Sequence, residues 1–172
     1  MRNCLQCGAK MIVKRGESYK AKEIGLPNIT LVGVDINRCP KCGEEEVSIP
    51  NIEGLHRVIS FALTKKQERL SGVEIRFLRK YLRWSGSDFA RTFGVAKETV
   101  SRWENDKERI SPPADRLLRF FVRQQAPMEK YDFDVCAQDF ARITSTDSVA
   151  DVFPLEVTNS AHNWTSNLAG AV

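Results

Sequence analysis

Two Cys-x-x-Cys pairs near the start of the chain are the residues best suited to chemistry. Cys4 and Cys7 form the first pair, Cys39 and Cys42 form the second, and a glycine directly follows each pair. A two-residue gap lets both sulfurs of a pair reach one ion, and four thiolates make the tetrahedral cage that Zn²⁺ prefers. Disulfides or free thiols are the alternatives, but the chain shows no secretory leader and the motif is doubled. We therefore predict one structural zinc ion per chain, with no open coordination position for catalysis.

The charge of the chain is unevenly distributed. The formal net charge is +4 over 172 residues, but residues 127–172 hold two basic and seven acidic residues. That segment carries −5, and the 126 residues before it carry +9. A basic body with an acidic tail predicts an anionic partner, with nucleic acid as the first candidate. No apolar run approaches the roughly 18 residues of a membrane span, so we expect a cytoplasmic protein with no membrane partner.

The order of sequence patterns predicts an α+β fold in four parts. Residues 1–50 are expected to form a small zinc-bound head containing strands, because the Ile29–Ile36 run is rich in β-branched residues. Residues 51–70 are expected to form a linker helix, since apolar residues recur there at spacings of three and four. Residues 71–125 are predicted to be an all-α domain. Residues 126–172 form an acidic extension to which the sequence assigns no structure.

Residues 71–125 carry clear helix signals. Ser71 with Glu74, and Ser85 with Asp88, are capping boxes, and Gly94 can adopt the left-handed conformation that ends a helix. The second and third helices are thus separated by a three-residue turn, which is the arrangement of a helix-turn-helix. The periodicity of the apolar residues predicts four helices, near 72–83, 86–93, 97–105 and 112–124.

The third of these helices has a polar face that suits DNA recognition. Val100 and Trp103 are predicted to face the core, so the polar residues around them turn outward and would enter the major groove. Arg102 can donate two hydrogen bonds to the O6 and N7 atoms of guanine, and Glu98 can accept a hydrogen bond from the N4 amino group of cytosine. Thr99 offers a methyl or hydroxyl contact. The predicted groove-facing residues are Lys97, Glu98, Thr99, Ser101 and Arg102. The predicted phosphate-binding residues are Ser87, Arg91, Lys107 and Arg109. Four cations of the first helix add to the positive field or form a solvated face: Arg76, Arg79, Lys80 and Arg83.

The segment 85–105 resembles the helix-turn-helix of the Cro/phage-repressor (XRE-like) class, most specifically in the run Val-Ser-Arg-Trp-Glu at 100–104. With the four-cysteine head and the linker helix, residues 1–125 resemble the YgiT-type zinc-finger antitoxins of the MqsA family. The resemblance implies a homodimeric repressor that binds a palindromic operator and neutralises a small, mRNA-cleaving ribonuclease toxin through its zinc head. Three features depart from the family: Ala96 replaces the usual Ser or Thr cap, Gly86 replaces a polar residue that commonly contacts a phosphate, and the acidic tail has no counterpart.

Several alternatives stay open at this stage. A zinc-containing regulator of the same class without a toxin partner would show the same motifs, and its head would dimerise or bind another protein. No nucleophile–base pair, phosphate loop or open metal site indicates an enzyme. Glu44–Glu46 can be a solvated strand edge or can meet a basic toxin, and the Ile29–Ile36 run can offer a free sheet edge. The tail, with its lone thiol Cys136, can fold on the helical domain, extend the dimer or compete with DNA for the basic face.

Overall fold

Five strands and five α-helices make up the part of the chain that the computed structural model describes, residues 2–125, 154–161 and 163–168. The predicted α+β class is therefore confirmed. The strands are β1 (Ile12–Lys20), β2 (Ile29–Arg38), β3 (Glu45–Ser48), β4 (Leu155–Ser160) and β5 (Asn163–Leu168). The helices are α1 (Ile52–Thr64), α2 (Gly72–Tyr81), α3 (Gly86–Phe93), α4 (Lys97–Glu104) and α5 (Pro112–Gln124), with a short 3-10 helix at Lys22–Ile24. None of the described helices is long and apolar enough to cross a membrane.

The five strands form one sheet around β2. β1 pairs antiparallel along one edge of β2, while β3 and β4 lie one after the other along its other edge, β3 antiparallel and β4 parallel. Ile36 faces Val47 of β3, and Leu31 faces Val157 of β4. The proposal of a free edge at Ile29–Ile36 is wrong, because neighbouring strands already occupy both edges of β2.

The hairpin β4–β5 comes from the acidic extension and completes the sheet of the head. Leu155, Val157 and Trp164 are buried, and β4 and β5 pack against α1. The indole N–H of Trp164 donates to the carbonyl of Pro50 over 2.9 Å. This part of the extension thus folds onto the head. Residues 126–153 and 169–172, with Cys136, lie outside the described residues.

The linker helix α1 joins the sheet to the helical domain. It begins at Asn51, whose side chain accepts a hydrogen bond from the Gly54 N–H over 3.0 Å. Leu55, Ile59 and Leu63 recur at helical spacing, and all three are buried. Because α1 packs against β4 and β5 and also against α2 and α5, one continuous hydrophobic core runs from the sheet into the helices.

The four helices predicted for residues 71–125 are present with ends shifted by at most two residues. Ser85 and Asp88 make the reciprocal cap of α3, with N–H···O distances of 3.0 and 3.1 Å, and Gly94 ends that helix at φ 65°. Ala96 gives α4 no side-chain cap. A Cβ on Gly72 would lie 2.7 Å from the carbonyl oxygen of Trp103, so α2 and α4 meet backbone to backbone.

A buried ionic cluster fixes the loop between α1 and α2. The ammonium of Lys66 lies 3.0 Å from a carboxylate oxygen of Glu74, and both side chains are buried. Asp115 lies 2.8 Å from Arg119 and accepts the N–H of Leu70 over 3.0 Å. The Arg119 guanidinium also donates to two backbone carbonyls of the same loop. Sequence patterns did not indicate this cluster, since each of its charges would ordinarily be expected at the surface.

Candidate metal centre and nucleic-acid interface

The four predicted metal ligands lie together at one end of the sheet. The Sγ atoms of Cys4 and Cys42 are 3.5 Å apart, those of Cys7 and Cys39 are 3.4 Å apart, and all four lie within 4.8 Å of one another. A disulfide requires about 2.05 Å between its sulfurs. Sulfurs about 2.3 Å from a tetrahedral Zn²⁺ are roughly 3.8 Å apart. The arrangement therefore fits one metal ion held by four thiolates and does not fit two disulfides.

Two equivalent turns hold these sulfurs. In each turn the glycine N–H donates to the carbonyl of the first cysteine, over 2.9 Å from Gly8 to Cys4 and 3.0 Å from Gly43 to Cys39. The N–H of that same cysteine donates to the carbonyl of the residue after the glycine, over 2.8 Å in both turns. The glycines have φ of +71° and +78°, a conformation that disfavours any residue with a side chain. The strand β1 leaves the first turn, and β2 leads into the second.

The electrostatics of the four sulfurs favour a cation between them. Backbone N–H groups, first that of Cys42, lower the pKa of Cys39 to about 6. The N–H of Glu44 also lowers the pKa of Cys42, but the hydrogen bond to Cys39 and the other nearby thiols outweigh it and raise that pKa to about 12. The peptide groups thus stabilise the thiolate of Cys39, while the neighbouring sulfurs disfavour a second negative charge on Cys42. A divalent metal ion removes this conflict, because it binds each sulfur in its deprotonated form.

The predicted DNA-contacting residues lie on α3, on α4 and on the loop after α4. Val100 and Trp103 are buried, as predicted, and among the other positions of α4 only Glu104 is buried as well. Thr99 is partly exposed. The other eight residues are exposed: Ser87, Arg91, Lys97, Glu98, Ser101, Arg102, Lys107 and Arg109.

The Arg102 side chain is held on the surface of α4 by two neighbours. Its Nε donates to Glu108 Oε2 over 2.7 Å, and its Nη2 donates to the Thr99 hydroxyl over 3.0 Å. Arg91 is held similarly by Asp88, over 2.7 Å. Exposed pairs of this kind contribute only about 0–1 kcal/mol, so either guanidinium can exchange its carboxylate for a stronger anionic partner.

Two cations of α2 have a structural role instead. Arg76 and Arg79 both contact the carboxylate of Glu104 at the end of α4, and Arg79 does so through its Nε, 2.5 Å from Oε1, and its Nη2, 3.2 Å from Oε2. Arg79 also donates to the carbonyl of Trp84 over 2.8 Å. These two arginines therefore tie α2 to α4, whereas Lys80 and Arg83 of the same predicted group do not make this contact.

Comparisons of the chain with models of protein families, with curated proteins and with solved structures find no match. The resemblance of residues 1–125 to the MqsA family therefore stays a prediction.

Proposed function

We propose that this protein is a DNA-binding transcriptional repressor that acts as a homodimer and whose head is stabilised by one Zn²⁺. The observation that carries the DNA-binding part is the exposed polar face of α4, presented by a helix–turn–helix whose opposite face is buried. A helix supported in this way fits the major groove of B-DNA. The proposed activity is binding rather than catalysis.

Individual side chains then have separate roles in DNA recognition. Arg102 exchanges Glu108 for the O6 and N7 atoms of a guanine, and Glu98 accepts from the N4 amino group of a cytosine. Arg91, at α3, and Lys107, after α4, contact backbone phosphates. A homodimer places its two recognition helices about 34 Å apart on a palindromic operator, one helical turn of DNA.

The experiment is selection of binding sites from random DNA duplexes, followed by titrations with three proteins. We expect the wild-type protein to enrich a palindrome. Arg102→Ala should weaken binding to it by about 1–3 kcal/mol and relax base preference at one position of each half-site. Lys107→Ala should weaken binding to all duplexes and flatten the salt dependence. No enriched sequence, or unchanged preference in Arg102→Ala, would contradict the proposal.

Zinc is the metal that best suits the four-sulfur site. Thiolates are soft ligands, and four of them in a closed tetrahedron are typical of structural zinc. Cys4 and Cys39 are buried together with Met11 in a cluster of their own, separate from the main core. So small a cluster buries little apolar surface, and the metal would supply the stability that this end of the head needs.

We also propose, on the strength of the family resemblance, that the head neutralises a small ribonuclease toxin. Glu45 already pairs with Arg38, whereas Glu44 and Glu46 are partly exposed beside the second cysteine turn. These two carboxylates suit the basic surface of an RNA-cleaving enzyme. A regulator of the same class that lacks a toxin partner is the alternative.

The test uses the full chain, because β4 and β5 complete the sheet of the head. The gene adjacent to this one is expressed alone and then with each of three proteins. We expect growth arrest that is relieved by the wild type and by Arg102→Ala, but less by the double variant Glu44→Lys/Glu46→Lys. A harmless adjacent gene would favour the alternative function. Rescue that is lost in Arg102→Ala and kept in the double variant would place toxin binding on the other half of the protein.

A further inference from the structure

A cleft of about 420 Å³ lies between the start of α1 and the end of α2. Its volume falls in the range of about 300–1,000 Å³ that is usual for small-molecule sites. No residue of α3 or α4 lines it, so it is separate from the surface proposed to bind DNA. Its lining includes the side chains of Glu53, His56, Arg57, Lys80, Tyr81 and Arg83.

Three cations lie around this cleft. Within the described part of the chain Arg57, Lys80 and Arg83 form no salt bridge, unlike Arg76 and Arg79 of α2, so no described carboxylate competes for them. One carboxylate, that of Glu53, also lines the cleft, and the lining carries a net charge of about +2 with a neutral histidine. Such a surface attracts anions, and arginine in particular binds phosphate through two parallel hydrogen bonds.

Arg83 occupies a backbone position at which glycine is favoured. Its φ is 59°, its N–H donates to the carbonyl of Lys80 over 2.9 Å, and the Trp84 N–H donates to that of Arg79 over 3.1 Å. These two bonds form a Schellman motif, in which the left-handed residue is usually glycine. A side chain there is disfavoured, because its Cβ comes close to the following carbonyl oxygen. An arginine thus stands where the backbone favours glycine, and its side chain lines the cleft.

Two rings give the cleft a less polar wall. His56 packs edge-on against Phe77, with ring centroids 5.7 Å apart, and burial lowers the pKa of His56, so its imidazole is neutral at pH 7. Burial raises the pKa of the Tyr81 hydroxyl, and the charge of Arg57 partly offsets this effect. Neutral rings next to cations suit a ligand that combines a phosphate with a planar group.

We infer that the cleft between α1 and α2 binds a phosphorylated small molecule of about mononucleotide size. Arg57, Lys80 and Arg83 contact its phosphate, and Tyr81 and His56 contact its planar part. This site is additional to the proposed function and does not depend on DNA binding.

The test is isothermal titration calorimetry of the full-length protein with adenosine monophosphate, pyrophosphate and unphosphorylated adenosine. We expect both phosphorylated probes to bind, with affinities that fall as salt rises, and adenosine alone not to bind. Arg83→Gly should weaken binding about tenfold or more, which corresponds to about 1.4 kcal/mol. The same variant should melt at an equal or higher temperature, because glycine relieves the left-handed conformation. Lys80→Ala should also weaken binding, and Lys14→Ala, an exposed lysine on β1, should not.

Two results would overturn the inference. One is the absence of binding by both phosphorylated probes at millimolar concentration. The other is binding that is unchanged in Arg83→Gly and Lys80→Ala. If neither probe binds and these variants instead lose affinity for DNA duplexes, the cations belong to the DNA surface and the small-molecule site is refuted.

Discussion

Replacement of Arg119 by methionine tests whether the buried ionic cluster holds α1 and its loop onto the helical domain. The Arg119 side chain is inaccessible to solvent, lies 2.8 Å from Asp115 and donates to the carbonyls of Lys66 and Glu68. Methionine has a similar length but carries no charge and donates no hydrogen bond. The Asp115 carboxylate would stay buried, and it would still accept the hydrogen bond from the Leu70 N–H.

The expected loss of stability follows from this geometry. Removing one partner of a buried ion pair costs about 3–5 kcal/mol, mostly because the other charge is left uncompensated. At about 2–4 °C per kcal/mol for a chain of this size, the melting temperature should fall by roughly 6–20 °C. Arg116→Met is the matched control, since Arg116 lies on the same helix and is exposed.

Urea unfolding at two pH values gives a second, independent signature. Burial already raises the pKa of Asp115, and Arg119 opposes that rise. In Arg119→Met the pKa of Asp115 should rise further, so the folded protein takes up a proton more readily than the unfolded chain does. The loss of folding free energy caused by the buried Asp115 carboxylate is therefore complete above the pKa that Asp115 has in the folded variant. It shrinks as the pH falls through that pKa, so the variant should lose less stability at acidic pH than at neutral pH.

The double variant Asp115→Leu/Arg119→Met completes the cycle. It should be more stable than Arg119→Met alone, because it contains no unpaired buried carboxylate. Equal stability of Arg119→Met and the Arg116→Met control would refute this role of Arg119. So would a double variant whose loss of stability equals the sum of the losses in Arg119→Met and in Asp115→Leu alone.

Three further predictions concern the glycines and the metal. Gly33→Ala should detach the β4–β5 hairpin, because Gly33 has a φ of +80° and the new Cβ would lie 2.9 Å from the Asn159 carbonyl oxygen. Faster hydrogen exchange over 154–168 would report this. The control is Gly16→Ala, which also has a positive φ but whose Cβ would contact nothing, and it should leave exchange in that segment unchanged. Gly72→Ala should destabilise the protein by about 1–3 kcal/mol and weaken DNA binding, because α4 must shift, while Gly86→Ala, which meets nothing, should do neither. Elemental analysis should give about one Zn²⁺ per chain, and chelation should disorder the cysteine turns while helical circular dichroism and DNA binding persist; a metal-free protein with ordered turns would contradict this.

Features that depend on neighbours in sequence could be predicted from the sequence. The four ligands could be identified because a two-residue gap between cysteines is a local geometric requirement, and the structure brings all four sulfurs together. The ends of α3 could be placed because Ser85, Asp88 and Gly94 act within one turn of the helix. The burial of Val100 and Trp103 followed from helical periodicity alone.

Features that depend on pairing across the chain needed the tertiary structure. β2 was expected to offer a free edge, but its second edge is covered by β3 and by β4, which lies more than a hundred residues later in the chain. Strand pairing over that distance leaves no local pattern, since any β-branched strand can pair with many others. The roles of Arg79 and Arg119 were also missed, because an arginine on a surface helix and one that is buried beside a carboxylate have the same local sequence signal. Tertiary packing alone decides which charged side chains are removed from water and paired with a carboxylate. It therefore also decides which cations stay at the surface, where they can bind an anion.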